Sequence, residues 1–381
     1  MIVVTGAGLA GLQSVVALRS QGYDGQLALI GAESRPPYDR PPLSKQLLAG
    51  ETDSSQLDAD WAALDCDLRL STTVTEVGAG VVSTDHGDLP FDALVLATGA
   101  EPRRLPGAET ALTLRTHDDS LRLRGWLRAG VRLVVVGAGW IGAEVATAAV
   151  ASGVDVTVVE SLPAPLASAL PADVGGRMLP WWSEVDLRLD ALVDAVEPGA
   201  VHLADGERIP ADVVLLAVGA RPMAPAGVEL TAAGAVAVDA QLRTSVPGVW
   251  AVGDCSSWES DRYATRMLVE HWDNALRAPA VAAANVLGSG EVWDPVPYFW
   301  SEQWGRMVQY AGHHPAGDRC VWREDGERWA AFWLAGDRLV AALTVDRPRD
   351  LVQARHLMER GATVDAALLA DPSVAVKAAA A

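Results

Sequence analysis

Lysine is nearly missing from this chain: of 30 basic residues only Lys45 and Lys377 are lysines, and the rest are arginines. The bias reads as genome composition rather than function. Cysteine is scarce as well, with Cys66, Cys255 and Cys320 far apart and none in a CxxC pair. That pattern indicates no disulfide framework, no zinc site and no redox-active cysteine pair. Three isolated thiols fit a reducing, cytoplasmic setting. Long apolar runs are missing too, so no membrane helix is expected. The apolar start MIVVTGAGLAGL lacks the basic stretch of a signal peptide. Positive charge is in deficit, with 49 acidic residues against 30 basic and a net charge of −19. Nucleic acid and anionic membranes are therefore poor partners for the body of the protein.

What is present is apolar and glycine-rich material. Half of the 381 residues are apolar and 35 are glycine, enough for several domains with buried cores. The apolar run Ile2–Thr5 meets Gly6-Ala7-Gly8-Leu9-Ala10-Gly11, a helical pattern follows to Arg19, and the run Leu27–Ile30 leads to Glu33. The order recurs: Leu133–Val136, then Gly137-Ala138-Gly139-Trp140-Ile141-Gly142, a small-residue helix to Ser152, the strand Val154–Val159, and Glu160. Each unit reads strand, glycine turn, helix, strand, acid, the order of a dinucleotide-binding βαβ unit. One GxGxxG is weak in a glycine-rich chain; two in this context are not. A second echo pairs 93–100 (ALVLATGA) with 213–220 (VVLLAVGA), each a buried strand ending in Gly-Ala. Val249–Cys255 is one more strand, ending in Gly253-Asp254.

These features predict an α/β protein with two Rossmann-like dinucleotide-binding domains and a smaller C-terminal α+β domain. The expected division is 1–107 with 240–295, then 108–239, then 296–381. Strands in the last part are expected to be shorter, and Ala378–Ala381 to fray. Glu33 and Glu160 stand where a carboxylate accepts hydrogen bonds from an adenosine ribose, and an acid at 160 favours NAD over NADP by like-charge repulsion of a 2′-phosphate. A proline-stiffened loop, Arg35–Lys45, follows Glu33 and places Arg40 and Lys45 near a diphosphate or a reduced ring.

That loop, with Ala97-Thr98-Gly99, the second fingerprint running to Glu144, Gly253-Asp254, residues 270–275 (EHWDNA) and 297–304 (PYFWSEQW), resembles the oxygenase-coupled NADH-dependent ferredoxin reductases of glutathione-reductase-like fold. The resemblance spans nearly the whole chain. It implies FAD, bound non-covalently, in the first unit and NADH in the second. Gly6, Gly8, Leu9, Ala10 and Gly11 would hold the FAD diphosphate and Glu33 its ribose. Arg40, Lys45, Val74, Ala97, Gly99, Arg115, Asp254 and Trp272 would be further flavin contacts. Gly137, Gly139, Ile141, Gly142, Glu144, Glu160 and Gly219 would be the NADH positions. Lys45 and Glu144 would be the residues closest to the chemistry, Lys45 by the reactive ring and Glu144 by the nicotinamide. The implied acceptor is a small acidic 2Fe–2S ferredoxin, or a rubredoxin, upstream of a cytochrome P450 or Rieske oxygenase. The implied assembly is a monomer or weak homodimer. An NADH oxidase-like enzyme and an apoptosis-inducing-factor-like redox sensor are the rivals.

Several residues carry two readings. Trp300 and Trp304 either flank the flavin edge or simply pack. Cys255 reads as a small buried residue and His313-His314 as a solvated loop. Residues 301–381 hold 10 basic against 11 acidic residues, leaving −18 of the −19 on the first 300. Arg306, Arg319, Arg323 and Arg338 on that near-neutral part are either a docking patch for an acidic ferredoxin or scattered solvated charges.

Overall fold

The computed structural model describes residues 1–381. The apolar runs become parallel strands. Five strands line up in the order Val249–Ala251, Ala93–Leu96, Ile2–Thr5, Leu27–Ile30 and Cys66–Arg69, all parallel. The three central strands have every residue buried, as expected when helices cover both faces of a parallel sheet. This sheet joins the start of the chain to a strand near residue 250. Between them lies a second parallel sheet, ordered Asp186–Arg188, Asp155–Val159, Arg132–Val136, Val213–Leu216 and Leu112–Thr113.

In both sheets the strand that opens the glycine turn has its unit's later strand on one side and the Glu-ending strand on the other. Strand order reverses there, and the crevice outside the carboxyl ends is where ligands bind in such sheets. The helices Leu9–Ser20 and Trp140–Ala151 start from these turns. Their close seating needs the third glycine of each fingerprint: a Cβ on Gly11 would lie 1.9 Å from the Gly6 carbonyl oxygen, and one on Gly142 would lie 2.0 Å from that of Gly137.

The duplication runs deeper than the fingerprints. Each half also carries a three-stranded antiparallel meander, Val74–Gly78 with Val81–Thr84 and Gly87–Pro90 in one, Val193–Glu197 with Ala200–Leu203 and Arg208–Pro210 in the other. The echo segments meet directly. Ala100–Pro102 pairs antiparallel with Ala220–Pro222, forming a two-stranded ribbon between the halves.

The C-terminal part is a five-stranded antiparallel sheet ordered Tyr298–Gln303, Arg306–Gly312, Arg338–Val345, Arg328–Ala335 and Arg319–Asp325, with the helix Pro348–Glu359 packed on it. Its strands have six to eight residues and are the longest in the molecule, which corrects the expectation of short ones. Frequent aromatics and turns mark tight hairpins there, not short strands. The last residues do not fray either. Val376 and Ala379 are fully buried, Ala380 bridges Val364, and the Ala381 amide donates to the Thr363 carbonyl. No helix is long and apolar enough to cross a membrane.

Candidate functional site

One cavity of about 1180 Å³ runs past both glycine turns, more than the 300–1,000 Å³ of an ordinary small-molecule site. Gly6 turns the chain at φ +101°, and a Cβ there would lie 2.0 Å from the Ala97 carbonyl oxygen. Gly8 faces open space, and the helix it precedes has no side-chain cap. The second turn repeats this design, with Gly137 at φ +105° against the Ala217 carbonyl and an uncapped helix after Gly139. Free first-turn amides at a helix N-terminus suit an anion such as a diphosphate.

Most of the residues singled out from the sequence line this cavity: Gly6, Gly8, Leu9, Ala10, Glu33, Arg40, Lys45, Val74, Ala97, Gly99, Arg115, Asp254 and Trp272 toward the first turn, and Gly137, Gly139, Ile141, Glu144, Glu160 and Gly219 toward the second. Gly11 and Gly142 do not. They are corrected to packing positions, because helix and turn touch where a side chain would stand.

Charged groups on the walls are organised in pairs. Glu33 accepts from Tyr38 Oη at 2.6 Å and from Arg40 Nη2 at 2.8 Å. Arg40 also donates to the Arg115 carbonyl, so its guanidinium is engaged by protein and not a free cation. Burial pushes the Tyr38 hydroxyl up to about 12, keeping it a donor to Glu33. Asp254 accepts from Arg115 Nη2 at 2.8 Å, and the indole of Trp272 donates to Asp39 at 2.8 Å. Glu160 accepts from the amides of Ala138 at 2.8 Å and Leu162 at 2.9 Å. Its carboxylate is fixed at the end of its strand beside the second turn.

Lys45 and Glu144 come from the two different units and meet at 2.7 Å. The short 3₁₀ turn Pro41–Ser44 sets up the contact by ending at Lys45. Two buried atoms in this region lack protein partners, Arg115 Nε and Glu270 Oε1. Burial, and then the charge of Asp254, raise the Glu270 carboxyl above its usual range. Unpaired polar atoms in a cavity wall need a polar ligand or water. The open glycine cradles and these atoms together fit a pair of dinucleotides.

Sequence reasoning missed part of the lining. Arg103 lies against Gly219 and donates to the Ala220 carbonyl at 2.8 Å, without an acidic partner. His271 stacks on Phe299 at 4.2 Å, and burial lowers it to about 4, so it is neutral at pH 7. His271 and Glu270 sat inside a motif already singled out, whereas Arg103 had no signal beyond following the Thr98-Gly99 strand end.

The two-sided readings also resolve. Trp300 lines the cavity, 5.7 Å from Trp272. Trp304 does not; it packs on Trp182 at 5.0 Å and lines a separate groove, while its amide donates to Thr147. Cys255 is fully buried, and burial raises its thiol. The histidine pair is not solvated: both rings are half-buried, His313 against Tyr263 and His314 against Trp333 and Tyr310. Of the four C-terminal arginines, three are paired within the domain and Arg338 is exposed without an ion pair. Arg323 is buried and bound to Asp350 and the Leu369 carbonyl, Arg306 pairs with Glu327 and Asp346, and Arg319 with Asp337.

Residues 1–278 match the family described as pyridine nucleotide-disulphide oxidoreductase, and residues 298–380 match the reductase C-terminal family. The chain is 34% identical to the ferredoxin–NAD(+) reductase component of the p-cumate 2,3-dioxygenase system of Pseudomonas putida, over 99% of this chain and 97% of that one. It superposes on the crystal structure of Fdr9 with a TM-score of 0.94 at 48% identity, covering 98% of each chain. It superposes on the covalent putidaredoxin reductase–putidaredoxin complex with a TM-score of 0.93 at 32% identity, covering 99% and 97%.

Proposed function

The chain belongs to the pyridine nucleotide-disulphide oxidoreductases, in the branch that ends with a reductase C-terminal domain, and from that premise we propose that it is an FAD-dependent NADH:ferredoxin oxidoreductase. One observation carries the reading. Lys45 of the first glycine-turn unit and Glu144 of the second form an ion pair on the wall of a single cavity that passes both turns. Hydride transfer between two dinucleotides needs their reactive rings to meet, and this pair lies where the two units join on the cavity wall.

In this reading residues 1–107 with 240–295 bind FAD, residues 108–239 bind NADH, and residues 296–381 cover the flavin side. Gly6, Gly8, Leu9 and Ala10 hold the FAD diphosphate and Glu33 its ribose. Arg40 acts by holding Glu33. Val74, Ala97, Gly99, Arg115, Asp254 and Trp272 complete the flavin wall. Gly137, Gly139, Ile141 and Gly219 receive NADH, and Glu160 takes the adenosine ribose. FAD bound in this cavity supplies the conversion of a two-electron hydride donor into a one-electron donor. Lys45 fixes positive charge at the junction, and Glu144 orients both Lys45 and the nicotinamide. Neither needs to move a proton.

The acceptor is a small acidic 2Fe–2S ferredoxin feeding a cytochrome P450 or a Rieske oxygenase, and the protein works as a monomer or weak homodimer in the cytoplasm. The net charge of −19 speaks against a DNA-binding redox sensor. A panel of ferredoxins and rubredoxins, reduced by NADH with oxygen uptake followed in parallel, tests the reading. Ferredoxin is expected to be the fastest acceptor. NADH oxidation matched throughout by oxygen uptake would assign an oxidase instead.

A further inference from the structure

Glu144 is 5% exposed, and its carboxylate receives three side-chain donors from two distant parts of the chain. Oε2 accepts from Lys45 Nζ at 2.7 Å and from Ser44 Oγ at 2.5 Å, both beside the first glycine-turn unit. Oε1 accepts from Ser301 Oγ at 2.6 Å. Ser301 stands on the first strand of the C-terminal sheet and is 1% exposed. No other protein donor reaches Oε1. Gln303, two residues on and on the same face of that strand, places its amide 3.4 Å from Ser301 Oγ. Gln303 therefore donates to the Ser301 oxygen and leaves the serine proton for Glu144.

We propose that Ser301 is a positioning residue for electron entry: through its hydroxyl the C-terminal domain fixes the Glu144 carboxylate, and with it Lys45, at the junction of the two dinucleotides. The inference rests on the roles proposed above for Glu144 and Lys45. A buried carboxylate with one oxygen unsatisfied rotates or recruits water to recover a partner. Losing the Ser301 donor therefore releases Oε1, turns the carboxylate about its Oε2 contacts, and lets Lys45 follow. The junction is then complete only when the C-terminal domain is in place. Ser301 itself does not line the cavity; it acts through Glu144.

Replacement by Thr and by Val separates the hydrogen bond from packing, because these side chains have nearly the same shape and only Thr keeps the hydroxyl. Four readouts are compared on the flavin-loaded protein: the limiting rate of flavin reduction by NADH, the rate of photochemical flavin reduction without NADH, the NAD⁺ dissociation constant by titration, and the melting temperature. Ser301→Val is expected to slow reduction by NADH roughly tenfold relative to Ser301→Thr, the size of one charge-assisted hydrogen bond. Photoreduction should match between the two and NAD⁺ affinity should move less than about threefold, while the melting temperature of Ser301→Val is expected to fall below that of Ser301→Thr through loss of the buried hydrogen bond. Equal NADH rates for Val and Thr overturn the inference. Glu144→Gln is run beside them. If it slows reduction while Val and Thr remain equal, only the role of Ser301 fails; if it leaves the rate unchanged, the role of Glu144 fails with it.

Discussion

Glu160 shows what a single residue decides. Its carboxylate is held by the Ala138 and Leu162 amides at the rim of the second turn, so it cannot turn away from a 2′-phosphate. Wild-type protein is expected to prefer NADH strongly over NADPH. Glu160→Ala should narrow that preference by about tenfold, removal of one like-charge contact being worth ~1–2 kcal/mol; an unchanged ratio in steady-state kinetics would place the determinant elsewhere. Gly6 is equally exposed to test. A Cβ there meets the Ala97 carbonyl at 2.0 Å, so Gly6→Ala should purify without flavin or lose it on dilution, as read from the visible absorbance of the bound flavin. Residue types at such positions were legible because backbone geometry dictates them. The serine partners of Glu144 were not: Ser44 and Ser301 are separated by more than half of the chain, and no local pattern foretells that both reach its carboxylate.

Elements were legible where their periodicity was strong. The parallel strands of both units stand out as apolar runs because burial on both faces leaves no polar alternation. The meanders were missed, since their half-exposed strands such as Val193–Glu197 carry charges and form no apolar run. The C-terminal segment was also misjudged. Short side chains suggested fraying of Ala378–Ala381, yet Ala379 is fully buried, as is Val376 just before that stretch. Val376→Ala should cost roughly 2 kcal/mol of stability, seen as a lower denaturant midpoint; no loss would mean that the tail is not docked in solution. A second element-scale prediction concerns acid. Burial lowers His314, in the turn after Tyr310, from 6.5 to about 4. The unfolded chain takes up that proton first, so the contribution is complete above pH 6.5 and is lost as pH falls toward 4. Thermal melts across that window should show falling stability, with a shallower fall in His314→Gln. An unchanged slope would remove His314 from the account.

At the scale of the molecule, duplication organises everything. Two parallel sheets, two glycine turns and two meanders are joined by the Ala100–Pro102 and Ala220–Pro222 ribbon, and the cavity runs where the halves face each other. The doubled fingerprints made this arrangement readable, because each demands its own βαβ unit. The docking surface was not readable. Arginines that look free in sequence are mostly paired, as Arg323 with Asp350, and pairing depends on contacts that composition does not encode. The account's central claim is passage of electrons from NADH through the flavin to an external one-electron carrier. Its most direct test is anaerobic stoichiometry, with catalytic protein, limiting NADH and an excess of a 2Fe–2S ferredoxin followed by absorbance. The account predicts two ferredoxins reduced for each NADH over many turnovers. Bleaching of the flavin by one equivalent of NADH, with the ferredoxin left oxidised, would contradict it.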